Sequence, residues 1–225
     1  MSLQNLKKDL KKLASPEKVE IYQRFFKTGK GQYGEGDIFI GLTVPEQRSV
    51  AKKYKGLKLP DLSELLQSKI HEERVTGTLI LNLKYGEVKK ENNEIGMKKY
   101  VDFYLNNLKG INNWDLVDGS APYVLGDWLL DKDKSILYEF AKSDNLWKKR
   151  ISIIATFAFI KESQFKDALK ISEILLKDSH DLIHKAVGWM LREIGKKDQK
   201  TLEDFLKKYY KNMPRTMLRY AIERF

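Results

Sequence analysis

The 225-residue sequence contains no cysteine, which excludes disulfide staples, thiolate nucleophiles and cysteine-based zinc sites. Histidine is nearly as scarce, with His71, His180 and His184 alone. Only the last two fall one helical turn apart, and no third ligand accompanies them, so no metal site is read here. No cofactor is called for either. Long apolar runs are missing: the longest, residues 151–160, is about half of a membrane span. Leu3, Leu6, Leu10 and Leu13 interleave with lysines, the pattern of an amphipathic helix rather than a signal peptide. The expectation is a soluble, cytoplasmic protein without a membrane partner.

Positive charge is what the chain has in excess. Its 42 Lys and Arg against 31 Asp and Glu give a formal charge of +11. Such a surplus favours a polyanionic partner, nucleic acid above all, although a lysine-coated surface also serves solubility alone.

Alternating strand patterns are absent, and helix signals recur. Ser15-Pro16 reads as an N-cap followed by proline in the first turn. Thr43 with Glu46 three residues later fits a capping box. Amphipathic blocks fall at about residues 17–22, 45–54, 61–68, 71–84, 91–107, 114–130, 134–142, 146–160, 164–177, 181–195, 199–210 and 214–224, joined by short connections. No linker or low-complexity segment divides them, so residues 1–225 read as a single domain.

A weak repeat runs through these blocks. Every second helix opens with a charged residue followed by small and aliphatic ones, at Arg74, Asp118, Arg150, Lys185 and Arg219, which are 44, 32, 35 and 34 residues apart. That period suits helix pairs stacked in series. The expected fold is an all-α, HEAT-like repeat solenoid of stacked antiparallel helix pairs with a basic concave surface. By the same register Asp118, Arg150 and Lys185 line one inner wall. The stretch Gly29-Lys30-Gly31-Gln32-Tyr33-Gly34 matches the Gly-x-Gly-x-x-Gly fingerprint by spacing only. No strand precedes it and no helix start follows, so it reads as a flexible loop.

Four pairs on the inner helix starts share a face by i,i+3 or i,i+4 spacing: Trp114 with Asp118, Trp147 with Arg150, Lys185 with Trp189, and Trp189 with Arg192. Indoles stack on bases and attract cations, and Arg and Lys reach phosphates. The plainer reading makes the tryptophans core, as Trp128 deep in an apolar block is expected to be. It makes Asp118 a helix-start cap or a structural partner of Arg150, and Arg150 and Lys185 a solvated face. Recurrence at one repeat position in so basic a chain favours function.

Three blocks carry a resemblance. Asn113-Trp114-Asp115-Leu116-Val117-Asp118, Asp144-Asn145-Leu146-Trp147-Lys148-Lys149-Arg150 and Lys185-Ala186-Val187-Gly188-Trp189-Met190-Leu191-Arg192-Glu193 resemble the AlkD family of bacterial DNA alkylation-repair glycosylases, which are built from HEAT-like repeats. Residues 39–48 are similar to the family's N-terminal block, and residues 213–221 to its last helix. The likeness implies excision of cationic purines such as 3-methyladenine and 7-methylguanine from double-stranded DNA, without extruding the base into a pocket as most base-processing enzymes do. By block position it implies Trp114, Asp118, Arg150 and Trp189 as functional residues, with Arg48 and Arg192 near the DNA. Trp147 and Lys185 join the DNA-binding set by their place beside these. Departures include the longer Gly-rich loop at 29–36 and Asp181 and Leu182 where others carry aromatics. They bear on lesion preference.

The chemistry is consistent with these residues. An N3- or N7-alkylated purine is already a cation and leaves as a neutral base, so no general acid is required. Positive charge develops on the deoxyribose, and one carboxylate beside it stabilises that charge or activates water. A monomer that associates with the nucleoid when bound to DNA is expected. The alternative is a non-catalytic helical-repeat protein that recognises damaged or branched DNA by shape. Relatives of that kind typically lack the Trp and Asp set. A protein-interaction scaffold is disfavoured by the basic excess.

Overall fold

A computed structural model describes residues 1–223. Among them the regular structure is helical, and one isolated bridge, between Ile38 and Ile70, is the extent of β pairing. None of these helices is long and apolar enough to cross a membrane. The chain packs as two compact units, Met1–Ser120 and Ala121–Phe225.

The first unit holds α1 (Leu3–Lys12), α2 (Pro16–Phe25), α3 (Val44–Lys53), α4 (Leu59–Leu66), α5 (His71–Lys90), α6 (Glu94–Asn106) and α7 (Trp114–Asp118). Leu6 and Leu10 of α1, Val50 and Ala51 of α3, Leu62 and Leu65 of α4 and Ile80 of α5 close into one core. Each of the buried Leu, Val and Ile side chains contributes about 1.5–3 kcal/mol by leaving water. The capping box at the start of α3 forms as the sequence predicts, with Thr43 donating its N–H and its hydroxyl to Glu46 Oε2, both at 2.7 Å. Helix α5 is central to the unit: α3, α4, α6 and α7 all pack on it. Its first turn is buried although it reads His71, Glu72, Glu73, Arg74, and this is the structural feature that composition alone conceals.

Glu72 explains how one of these charges is tolerated. Its carboxylate accepts the backbone N–H groups of Ile40, Gly41 and Leu42 at 2.8–3.3 Å, the donor-rich surroundings a buried anion requires. Gly41 sits at φ 86°, and a Cβ there would lie 2.1 Å from the Ser15 carbonyl oxygen. Only glycine accepts both conditions.

The second unit holds α8 (Ser135–Ala141), α9 (Leu146–Ala155), α10 (Phe157–Lys161), α11 (Lys166–Leu175), α12 (Asp181–Lys197), α13 (Gln199–Tyr209) and α14 (Arg215–Ile222). Here α9 packs on α12 and α12 on α14, while α8 lies against α9 and both α11 and α13 lie against α12. The helices that carry Arg150, Lys185 and Arg219 in their second turns are therefore successive neighbours, as the repeat spacing predicts. Gly188 lets α14 come close, since a Cβ on it would lie 2.5 Å from the Met217 carbonyl oxygen.

The structure differs from the sequence reading in several places. The block at 114–130 is not one α-helix: α7 stops at Asp118, a turn follows, and Pro122–Gly126 forms a π-helical turn. Pro122 supplies no N–H to a continuing helix, and Gly119 just before it is a weak helix former. The block at 146–160 breaks at Thr156, whose hydroxyl bonds the Ile153 carbonyl at 2.6 Å. Trp128 is half-buried instead of core, with Lys132 Nζ 4.3 Å above its ring. The Gly-rich loop is knit by its own bonds, from Gly31 N–H to Glu35 and from Gly34 N–H to the Lys27 carbonyl. The last expected helix, 214–224, extends one residue outside those described.

Candidate functional site

Helix α7 carries the tryptophan and acid of the first block. Asn113 is its N-cap, accepting the Trp114 N–H at 2.8 Å. Asp118 is its final residue and half-buried, so it does not cap a helix start. A carboxylate at a helix C-terminus faces the negative end of the macrodipole, a placement that does nothing for the helix itself. Burial raises the Tyr104 phenol above its usual range, and the nearby Asp118 charge adds to this.

Trp114 is held by aromatic rings. Phe26 stacks on it at 5.2 Å between centroids and 13° between planes, and Phe25 stands edge-on at 5.6 Å. Phe26 also stacks on Phe39 at 5.0 Å, and Phe39 on the His71 imidazole at 4.5 Å. This wall fixes the indole plane while leaving Trp114 half-exposed.

Behind the wall lies a charged network. His71 Nδ1 is 3.1 Å from Asp37 Oδ2, and its Nε2 is 2.8 Å from Asp115 Oδ2. Arg74 donates to Asp37 Oδ1 at 2.7 Å and to the Ser68 carbonyl at 2.8 Å, and Asn113 Nδ2 donates to Asp37 at 3.2 Å. Burial opposes charge on His71, but the Asp115 carboxylate, followed by Asp37, outweighs it and raises the imidazole pKa to about 9. Burial likewise pushes the Asp37 carboxyl up, yet the His71 bond and the Arg74 charge hold it below its usual value. The two acids of the same block are placed differently: Asp115 anchors the His71 imidazole, and Asp118 ends α7. Sequence reasoning missed Asp37, His71 and Arg74. The available signal was four consecutive ionisable residues, His71 to Arg74, at the head of an otherwise apolar helix.

In the second unit, Asn145 caps α9 by accepting the N–H groups of Trp147 and Lys148. Trp147 is half-buried. Arg150 is buried, 5% exposed, and donates Nη1 to the Leu182 carbonyl at 2.5 Å. On α12, Lys185 pairs with Asp181 at 2.6 Å. Trp189 donates its indole N–H to Glu193 at 3.1 Å and leans on Phe157. Arg192 is ion-paired with Glu223. The structure therefore brings Trp147 and Arg150 onto α9 and Lys185, Trp189 and Arg192 onto its neighbour α12. Arg48 lies exposed on α3 of the first unit.

The two remaining histidines serve helix α12. His180 accepts the Leu182 N–H at 3.1 Å, and the His184 ring donates to the Asp178 carbonyl. Among the described residues, no three His, Asp or Glu side chains gather in a way that would hold a metal ion.

The packed helical hairpins of each unit define a helical-repeat protein. Residues 6–225 match the model of the DNA alkylation repair enzyme family, and the chain belongs to that family. Its function lies in DNA alkylation repair, which makes DNA its partner. A predicted DNA alkylation repair enzyme from Enterococcus faecalis shares the fold with a TM-score of 0.70 at 16% identity, covering 94% of this chain and 96% of the other. AlkD2 from Streptococcus mutans is similar with a TM-score of 0.55 at 17% identity over 93% and 97% of the two chains. No curated protein sequence matches the chain.

Proposed function

We propose that residues 1–225 act as a single DNA glycosylase domain that excises cationic alkylpurines, such as 3-methyladenine and 7-methylguanine, from duplex DNA. The observation that carries this reading is Asp118, a half-buried acid at the electrostatically unfavourable end of α7, four residues from an indole locked by stacking. The N-glycosidic bond breaks with its electron pair leaving on the purine, which departs neutral. Asp118 stabilises the cationic sugar and orients or deprotonates the water that adds to the anomeric carbon. Trp114 and Trp189 contact the cationic nucleotide through cation–π interaction and packing.

Arg150 takes a backbone phosphate, and Arg48 and Trp147 add to DNA binding. Lys185 and Arg192 exchange Asp181 and Glu223 for phosphates, so binding is salt-sensitive. The reaction as written uses no cofactor. The chain works as a monomer in the cytoplasm, on the nucleoid when bound. Incubation with a duplex carrying one 7-methylguanine tests the reading. Free base released by wild type and not by Asp118→Asn is expected. Binding without release, repeated with 3-methyladenine, overturns it in favour of a shape-reading module.

A further inference from the structure

Helix α7 spans five residues, too few to hold a helical conformation unaided in water. The aim of its side chains is therefore set by whatever grips it. Helix α5 grips it at both ends. At the first turn, His71 Nε2 meets Asp115 Oδ2 at 2.8 Å. At the far end, Asn82 Nδ2 donates to the Gly119 carbonyl at 2.6 Å, and Gly119 directly follows Asp118. His71 and Asn82 are eleven residues apart on α5, close to three full turns, so one face of a long helix presents both.

Neither contact is the cheapest way to fill its space. A buried imidazolium between two carboxylates carries a desolvation cost that an apolar ring of similar size would avoid. Asn82 leaves its Oδ1 buried with no hydrogen-bond partner in order to spend its N–H on Gly119, an expense usually met where geometry matters more than stability. Both contacts are directional, whereas packing alone would let α7 rock.

We propose that His71 and Asn82 are positioning residues for base excision, fixing α7 at its two ends so that the Asp118 carboxylate and the Trp114 indole hold one aim. The proposal rests on the glycosylase reading above. His71 acts through Asp115, and Asn82 acts through the Gly119 carbonyl. Neither touches the substrate.

The test compares wild type, His71→Gln and Asn82→Ala in three measurements. These are single-turnover release of 7-methylguanine, affinity for an undamaged duplex, and preference for a duplex bearing a protonated pyrrolidine over one bearing neutral tetrahydrofuran at the abasic position. The last reads the placement of the Asp118 charge without requiring catalysis. Folding is checked by circular dichroism, and Asn82→Ala, at a half-buried site, stands in if His71→Gln does not fold. Release slowed about tenfold or more, with undamaged-duplex affinity within about twofold, is expected. The preference for the charged ring should fall in the same variants. Folded variants that release base at the wild-type rate and keep that preference overturn the proposal, as does a loss of duplex affinity equal to the loss of rate. If wild type releases no base, the glycosylase reading falls and the ring preference alone decides. A preference present in wild type and lost in the variants upholds the positioning role. A preference missing from wild type, or kept by the variants, overturns it.

Discussion

The Glu72 carboxylate receives the Gly41 N–H at 2.8 Å while also accepting those of Ile40 and Leu42. One side chain of α5 thereby satisfies three consecutive backbone donors in the segment leading into α3. Glu72→Ala should cost about 3 kcal/mol, because the donors lose their acceptor where water does not readily replace it. Glu72→Gln, which keeps one oxygen, should cost less. Urea unfolding of both variants checks this, and an alanine variant within about 0.5 kcal/mol of wild type would refute it.

Asp118→Asn should lower the rate of base release by about 10²–10³-fold and leave affinity for lesion-bearing duplex nearly unchanged. The carboxylate acts on charge that exists mainly in the transition state. Single-turnover release and a binding titration on the same duplex separate the two quantities. Equal losses in both would assign Asp118 to ground-state binding.

Stability should depend on His71 at alkaline pH. The ring titrates near 9 in the folded chain against 6.5 for a free imidazole. A raised pKa means that the folded state binds the proton more tightly, so the contribution is fully present below about 6.5 and is lost as pH rises to about 9. Above that, a neutral ring keeps only one N–H. Nε2 can still donate to Asp115, with Nδ1 accepting from Arg74 Nη2, 3.2 Å away, so the Asp37 arm is the one released. Urea midpoints across this range should fall in wild type and run flatter in His71→Gln.

Gly188 and Gly86 should answer alanine in opposite directions. At Gly188 the new methyl meets the Met217 carbonyl and Tyr220 Cβ at 2.5 Å, and overpacking of this kind costs about 1–3 kcal/mol. Gly86, inside α5, has nothing within 4 Å of the added carbon. Gly86→Ala should therefore gain about 0.5–1 kcal/mol from helix propensity. Thermal melts of the two single variants decide the matter.

Arg48→Ala should weaken binding uniformly across DNA sequences and reduce the salt slope by about one counterion. Affinity measured at several salt concentrations gives the slope directly. An unchanged slope would remove Arg48, exposed on α3, from the DNA contacts.

Much of this architecture is legible in the sequence because it rests on local rules. The capping box at Thr43 and the repeat of small residues after Arg150, Lys185 and Arg219 depend on neighbours within a few positions. What is not legible there depends on residues far apart. Arg74 is the first charged residue of the repeat series, yet it is buried against Asp37, thirty-seven residues away. The partners of His71 lie in other segments, so nothing beside it in the sequence marks its role. The apolar pattern continues past Asp118 and hides the end of α7, while Pro122 redirects the backbone into a wider turn.

The same long-range bonds bear on how the chain is made. His71 is tied to Asp37, 34 residues before it, and to Asp115, 44 residues after it. During synthesis the first four helices and the start of α5 emerge well before Asp115 does. Until then the imidazolium lacks the stronger of its two carboxylates, and the first unit cannot reach its final packing. The core of α1, α3, α4 and α5 can gather earlier, but its final closure should wait for α7 to leave the ribosome. The helix that carries the proposed catalytic acid is also the last piece to close the N-terminal half.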